Sequence, residues 1–177
     1  MAASTRLAIP TDVSQIVALS SRVQDHLSAS GSLQVTGPLA QSMVEEAMDG
    51  KSCFVLVSTP ENPDRVIGCA FVRSLAPDHY ATTSTFNIQD FQQPWSFLHA
   101  LMLDPDLQGR GIGLPFLQHV FTLLRGGSSA AGTVVLDCWA GNEKLRAFYE
   151  RARCEFVDVI PEKDYEIAVF VKSLGSG

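Results

Sequence analysis

Apolar residues in the first third of the chain recur at the spacing of one helix face, which predicts two amphipathic helices. A short apolar start at residues 7–9 predicts a strand, and the first helix follows over about residues 12–28. Residues 28–38 contain small residues, two glycines and a proline, so they are expected to form a loop. Pro38 is suited to open the second helix, and Gly50 to end it.

Short apolar runs bounded by turn-forming residues predict strands further along the chain. The runs at 53–57 and 66–75 flank a turn at 60–64, so we expect an antiparallel pair. Residues 76–94 show no apolar period over a length that is uncommon in a compact domain, and either a segment lining a substrate cleft or a plain surface loop fits them. Further strands are predicted at 95–103, 133–139, 156–160 and 165–171.

Two later segments have helical periodicity. Apolar residues between 116 and 124 predict a helix directly after the polar, glycine-rich stretch 104–113. Another helix is expected to begin at Gly141 or Asn142, after a loop of small residues at 126–132. No repeat or linker divides the sequence, so we predict one α/β (α+β) domain over residues 1–177. The apolar side of the last helix consists of Leu145, Phe148, Tyr149 and Ala152.

Composition and charge narrow the range of partners. Apolar residues make up 46% of the sequence and charged residues 18%, which suits a packed core and argues against disorder. The 13 Lys and Arg residues against 19 Asp and Glu residues give a net charge of −6 without clusters. This balance disfavours nucleic acid as a partner and slightly favours a cationic substrate such as an amine.

Cysteine usage and hydropathy are typical of a cytoplasmic protein without a metal site. Cys53, Cys69, Cys138 and Cys154 form no C-x-x-C pair and have no histidine nearby at a ligand spacing, so we expect reduced core residues. The first residues lack a basic stretch followed by an apolar run, and no apolar run reaches membrane-spanning length. We therefore expect no membrane partner.

The stretch 104–113 places glycines between a predicted strand and a predicted helix. Glycines let a ligand approach the backbone N–H groups, and the helix N-terminus adds positive potential, so this turn predicts an anion site. Arg110 could add a charge-assisted bond. A dinucleotide fingerprint beginning at Gly109 fails, because Leu114 occupies the place of its last glycine, and the G-K-S or G-K-T end of a P-loop is absent.

The same letters resemble the coenzyme motif of the GNAT superfamily of acetyl-CoA-dependent N-acetyltransferases. That motif is Gln or Arg, two variable residues, Gly, one variable residue, and Gly or Ala, matched here by Gln108, Gly111 and Gly113. The family's later N-x-x-A-x-x-L-Y segment is resembled by Asn142, Leu145, Phe148 and Tyr149. The order of predicted elements also resembles the family's order over nearly the whole chain.

The resemblance implies a GNAT-like mixed, mostly antiparallel central sheet with helices on both faces. It also implies a transfer of the acetyl group from acetyl-CoA to a primary amine by direct attack in a ternary complex. The amine could belong to a small molecule or a peptide. The resemblance does not determine the length of the acyl chain or whether the protein forms a homodimer. An acyl-CoA-binding sensor or structural module without turnover is the alternative. The family's usual Gly-Phe pair after the tyrosine is replaced here by residues 153–156, which puts the helix exit in question.

The resemblance assigns site residues, each with a structural alternative. Tyr149 is the candidate acid, although its place on an apolar helix side also fits a core aromatic. His99 is a candidate base or an ordinary structural histidine; regular strand alternation would place it on the same side as Leu101 and Leu103. Asn142 bonds the coenzyme, caps the helix, or does both. The implied coenzyme-binding residues are Leu101, Met102, Leu103, Gln108, Gly109, Arg110, Gly111, Ile112, Gly113, Asn142 and Tyr149.

Overall fold

The computed structural model describes residues 2–59, 65–75, 91, 94–126, 132–162 and 164–175. Within these ranges the chain forms seven strands and four α-helices. In chain order they are β1 (Ala2–Leu7), α1 (Val13–Ala29), α2 (Gln41–Asp49), β2 (Cys53–Thr59), β3 (Val66–Ser74), β4 (Trp95–Leu103), α3 (Gly113–Gly126), β5 (Thr133–Trp139), α4 (Glu143–Arg151), β6 (Glu155–Glu162) and β7 (Tyr165–Ser173).

The strands hydrogen-bond in the order β1-β2-β3-β4-β5-β7-β6. β2 is antiparallel to both β1 and β3, and β7 is antiparallel to both β5 and β6. β4 and β5 run parallel, with Trp95 opposite Thr133 and Leu98 opposite Leu136. The predicted α/β (α+β) fold with a mixed, mostly antiparallel sheet is confirmed.

The residues group into two compact units. Unit 1 comprises Met1–Val72 and Ala100–Val120, and unit 2 comprises Arg73–His99 and Phe121–Gly177. The core of unit 1 packs the apolar side of α1 against β2 and β3, with Ile16 and Val55 fully buried. The core of unit 2 is built on the inner strands β5 and β7, whose Val135 and Val169 are also fully buried. The single domain over residues 1–177 stays a prediction.

Two element boundaries differ from the sequence predictions. The first strand is Ala2–Leu7 and not 7–9, because its polar residues pair along β2 and an apolar pattern does not detect them. α2 begins at Gln41 and not at Pro38. The backbone N–H of Leu39 donates to Oγ of Ser20 at 2.9 Å, and Ala40 is extended with ψ 144°, so the helix starts only after both residues.

The other predicted helices and strands lie within two or three residues of their observed positions. All four cysteines are buried free thiols. Burial raises the pKa of Cys53, Cys138 and Cys154 to about 12, so these thiols stay protonated at neutral pH, as expected of core residues. The predicted turn 60–64, residues 127–131 of the predicted loop and most of 76–94 lie outside the described residues.

Candidate functional site

The glycine turn (residues 108–113) lies in unit 1, between β4 and α3, where the sequence predicted it. Gly109 and Gly111 have φ angles of +76° and +78°, in the left-handed region that disfavours a Cβ. A Cβ built on either residue would meet no atom within 4 Å, so the space over both is open. An exposed backbone that lacks a Cβ at Gly109 and Gly111, next to the start of a 14-residue helix, fits a phosphate group.

The ends of the glycine turn contact the strand before it and the helix after it. Nε2 of Gln108 donates a long hydrogen bond of 3.5 Å to the carbonyl oxygen of Leu103 at the end of β4. The carbonyl oxygen of Ile112 accepts the N–H of Phe116 at 3.2 Å, which joins the turn to the first turn of α3. The side chain of Arg110 is exposed.

β4 is irregular at the position that precedes the proposed pantetheine-binding residues. Ala100 has φ +51°, a left-handed conformation that interrupts the regular alternation of a strand. The prediction that His99 shares one side with Leu101 and Leu103 assumed unbroken alternation, so that argument fails at Ala100. Met102 is buried, whereas Leu101 and Leu103 are half-buried.

His99 and Asn142 both belong to unit 2. The ring of half-buried His99 stacks on Phe97, with centroids 5.9 Å apart and an interplanar angle of 11°. Asn142 caps α4, because its side-chain oxygen accepts the N–H of Leu145 at 3.1 Å. The capping alternative is therefore confirmed for Asn142, and its side-chain NH₂ group provides two donors that the cap does not use.

The turn that leads to Asn142 is shaped by an aromatic ring. The N–H of Asn142 donates to the carbonyl oxygen of Trp139 at 2.8 Å. A Cβ built on Gly141 would lie 2.5 Å from Cζ2 of Trp139, so the backbone follows the face of the indole and only glycine fits there. Position 141 thus fixes how the chain enters α4.

Tyr149 is packed inside unit 2. Its side chain is 3% exposed and meets Phe170 edge to face, with centroids 5.3 Å apart. Its hydroxyl donates to the carbonyl oxygen of Asp137 at 3.3 Å. Burial, reinforced by the neighbouring Cys138 and Asp137, raises the pKa of Tyr149 well above its usual value of 10.0. The hydroxyl is therefore neutral and protonated at physiological pH.

The family model described as "Acetyltransferase (GNAT) family" matches residues 24–156, more than half of the chain. The matched segment includes the glycine turn, Asn142 and Tyr149. The chain belongs to the GNAT acetyltransferase family.

Solved structures of acetyltransferases share this fold over nearly their whole length. A GNAT acetyltransferase from Listeria monocytogenes superposes with a TM-score of 0.72 at 20% identity, covering 97% of this chain and 94% of that one. The ribosomal-protein-S18-alanine N-acetyltransferase of Escherichia coli gives 0.67 at 15% identity, covering 99% and 96%. An N-acetyltransferase from Staphylococcus aureus gives 0.68 at 18%, covering 99% and 100%. A comparison with curated proteins finds no match. At these identities the likeness establishes the fold and not the acceptor.

This GNAT chain has one buried charge near the glycine turn that sequence reasoning missed. Asp104 directly follows β4 and is 1% exposed. The pair Asp104-Pro105 was visible in the sequence and is typical of a capped turn, but its ion-pair partners are 39 and 82 positions away and leave no local signal. No group of three or more potential metal ligands occurs in the described ranges. Their helices include none that is long and apolar enough to cross a membrane.

Proposed function

We propose that this protein transfers an acetyl group from acetyl-CoA to a primary amine, which attacks while both substrates are bound. The observation that carries the proposal is the glycine turn, where two left-handed glycines leave open space beside the start of α3. Acetyl-CoA would supply the activated acetyl group. Residues 108–113 would hold its phosphates and residues 101–103 its pantetheine arm, with Asn142 donating to the amide groups of that arm.

Direct transfer requires a neutral amine, a polarised carbonyl and a proton for the departing thiol. We propose Tyr149 as the proton donor, because burial raises the pKa of its hydroxyl, which therefore carries a proton at neutral pH. His99 is proposed as the base that accepts the proton of the ammonium form, directly or through water.

The acceptor is proposed to be a primary amine of a small molecule or a peptide. The Escherichia coli neighbour is named for acetylating an alanine of a ribosomal protein. The net charge of −6 raises the local concentration of cations, which supports an amine over an anionic acceptor. The same charge argues against a nucleic-acid acceptor.

Acetyl-CoA is expected to stabilise the folded protein. At a concentration one hundredfold above its Kd, a ligand that binds only the folded state adds about 2.7 kcal/mol to the free energy of unfolding. Thermal unfolding with and without acetyl-CoA measures this shift. The control ligand is S-acetyl-N-acetylcysteamine, which has the thioester and the end of the pantetheine arm but no phosphates, and should raise the Tm much less. An equal shift with both ligands, or none with acetyl-CoA, would contradict the phosphate site.

Release of free thiol over a panel of primary amines distinguishes the enzyme from the sensor alternative. An amine-dependent release supports transfer, and the panel should contain small amines, polyamines and peptides with a free N-terminus. Binding of acetyl-CoA without release for any of these amines would instead support an acyl-CoA-binding module.

The variant His99→Gln tests the base. We expect kcat/KM for the amine to fall about a hundredfold, and the limb of its pH profile that reports the base to disappear. The measurement is the pH profile of kcat/KM for the amine at saturating acetyl-CoA, with His119→Gln as the control, because His119 is an exposed histidine on α3. A profile that His99→Gln leaves unchanged would remove His99 from the mechanism.

A further inference from the structure

Three segments of unit 1 meet at one buried oxygen atom. Oδ2 of Asp104 accepts hydrogen bonds from Nη2 of Arg65 at 2.9 Å and from Nη2 of Arg22 at 3.2 Å. Arg22 lies on α1, and Arg65 directly precedes β3. The Asp104 side chain is 2% exposed, whereas the two arginine side chains are 48% and 49% exposed. The carboxylate is therefore the fixed, buried member of the cluster.

Asp104 also fixes the backbone around itself. Its Oδ1 accepts the N–H of Asp106 at 3.2 Å, and its own N–H donates to the carbonyl oxygen of Ile67 in β3 at 2.9 Å. Its carbonyl oxygen accepts the N–H of Leu107 at 2.9 Å. Both carboxylate oxygens and both main-chain polar groups of this residue are thus engaged. A single 3₁₀ turn, Pro105–Leu107, then leads to Gln108, so these bonds set the direction in which the chain enters the glycine turn.

The charge of Asp104 is retained at neutral pH. Burial alone would raise the pKa of its carboxyl group, but the hydrogen bond from Asp106 and the two arginines outweigh burial and lower the pKa below 3.8. A carboxylate that stays ionised keeps both guanidinium groups in place, and its loss would leave the arginines without their buried partner.

We propose that Asp104 is a positioning residue for acetyl-CoA, which with Arg22 and Arg65 holds the exit of β4 so that the glycine turn presents its N–H groups to the phosphates. This inference rests on the proposed function, because it assumes that residues 108–113 bind acetyl-CoA. The N–H groups would bind the phosphates together, so their relative positions matter. In enzymes, a misplacement of about 1 Å can cost about a hundredfold in rate.

The same unit contains a matched control. Asp12 is also 1% exposed, and its carboxylate oxygens accept bonds of 2.6 and 3.0 Å from Arg6 and of 2.8 Å from the N–H of Ile9. Asp12 thus resembles Asp104 in burial, charge and pairing. Its partners belong to the N-terminal part of the chain and not to β4. A loss of acetyl-CoA binding that is common to variants of Asp12 and Asp104 would therefore reflect a loss of stability alone.

The experiment compares Asp104→Asn, Arg65→Gln and Asp12→Asn in the full chain. Asparagine keeps the shape and the acceptor for Asp106 but removes the charge. We expect Asp104→Asn to raise the Kd for acetyl-CoA, measured by calorimetry, roughly tenfold to a hundredfold. Arg65→Gln should raise it less, since Arg22 remains. Asp12→Asn should lower the Tm and leave the Kd unchanged. In steady-state assays, Asp104→Asn should raise the KM for acetyl-CoA far more than it lowers kcat.

The outcomes separate this inference from the proposed function. If wild-type protein binds acetyl-CoA and Asp104→Asn binds it equally well, or if Asp12→Asn weakens binding as much, Asp104 is not a positioning residue. If the wild-type protein does not bind acetyl-CoA, the proposed function itself fails. Should Asp104→Asn not fold, the double variant Arg22→Gln/Arg65→Gln, which changes two half-exposed side chains, must weaken binding, and an unchanged Kd would overturn the inference.

Discussion

Gly111→Leu is expected to abolish measurable binding of acetyl-CoA, and Gly111→Ala to weaken it about tenfold. Gly111 has φ +78°, and a residue with a Cβ pays about 1–2 kcal/mol to hold that conformation. The exposed turn can relax when no ligand is bound, so much of this strain is paid on binding, and 1.4 kcal/mol is about tenfold in Kd. The leucine side chain would also fill the open space in which we place the phosphates. Calorimetric titration measures both losses.

The control for Gly111 is a glycine with similar backbone geometry elsewhere. Gly175 has φ +55°, and a Cβ built on it also meets nothing within 4 Å, so Gly175→Ala carries comparable strain. It should leave the Kd for acetyl-CoA unchanged. Both glycines lie in exposed backbone that can relax, so neither alanine variant should change the Tm of the unliganded protein much. Undiminished binding by Gly111→Leu would contradict the assignment of the glycine turn, and with it the proposed acetyl transfer.

The sequence predicted those parts of the fold whose signals are local. The strand Thr133–Trp139 and the helix after Asn142 follow from a short apolar run, a capping residue and a 3.6-residue period. The glycine turn was recognisable because glycines interrupt a strand-to-helix junction. These features depend on neighbours within a few positions, so the amino-acid sequence alone is sufficient to predict them.

Features that depend on distant partners were not predictable. β4 is interrupted at Ala100 by a left-handed backbone conformation, which alanine seldom adopts and which its sequence does not signal. A prediction from strand alternation assumes that no such interruption occurs. α2 begins late because Leu39 bonds to Ser20 on α1, 19 positions earlier. The arginines that surround Asp104 come from two other segments. Long-range polar bonds therefore decide details of the site that periodicity cannot show.

The core position of Tyr149 is compatible with the catalytic role that we propose for it. Its apolar neighbours fix the ring, as the helical stripe predicted, and its hydroxyl points to a backbone carbonyl and not to a charged acceptor. Burial raises its pKa, which makes it a weaker acid but guarantees that the proton is present. Packing thus holds the donor in one orientation, and orientation is a large part of what a general acid contributes.

Tyr149→Phe is expected to lower kcat by about 10² to 10⁴-fold and to leave the Kd for acetyl-CoA nearly unchanged. Phenylalanine keeps the ring contacts, and the lost hydrogen bond to Asp137 costs about 1 kcal/mol of stability. Stopped-flow or steady-state thiol release measures the loss. Because the pKa of Tyr149 lies well above 10.0, its hydroxyl should produce no falling limb in the wild-type pH–rate profile below that pH.

Tyr165→Phe is the matched control for this test, because it removes a tyrosine hydroxyl from the same unit at a half-buried position on β7. Its turnover should equal that of the wild type. If Tyr149→Phe also keeps full turnover, the hydroxyl of Tyr149 serves only the packing of unit 2, and the proton for the thiol must come from another donor or from water. If both variants lose activity in proportion to their loss of Tm, stability and not acid catalysis explains the result. Only a loss of kcat confined to Tyr149→Phe, in a protein that still binds acetyl-CoA, identifies that hydroxyl as the acid.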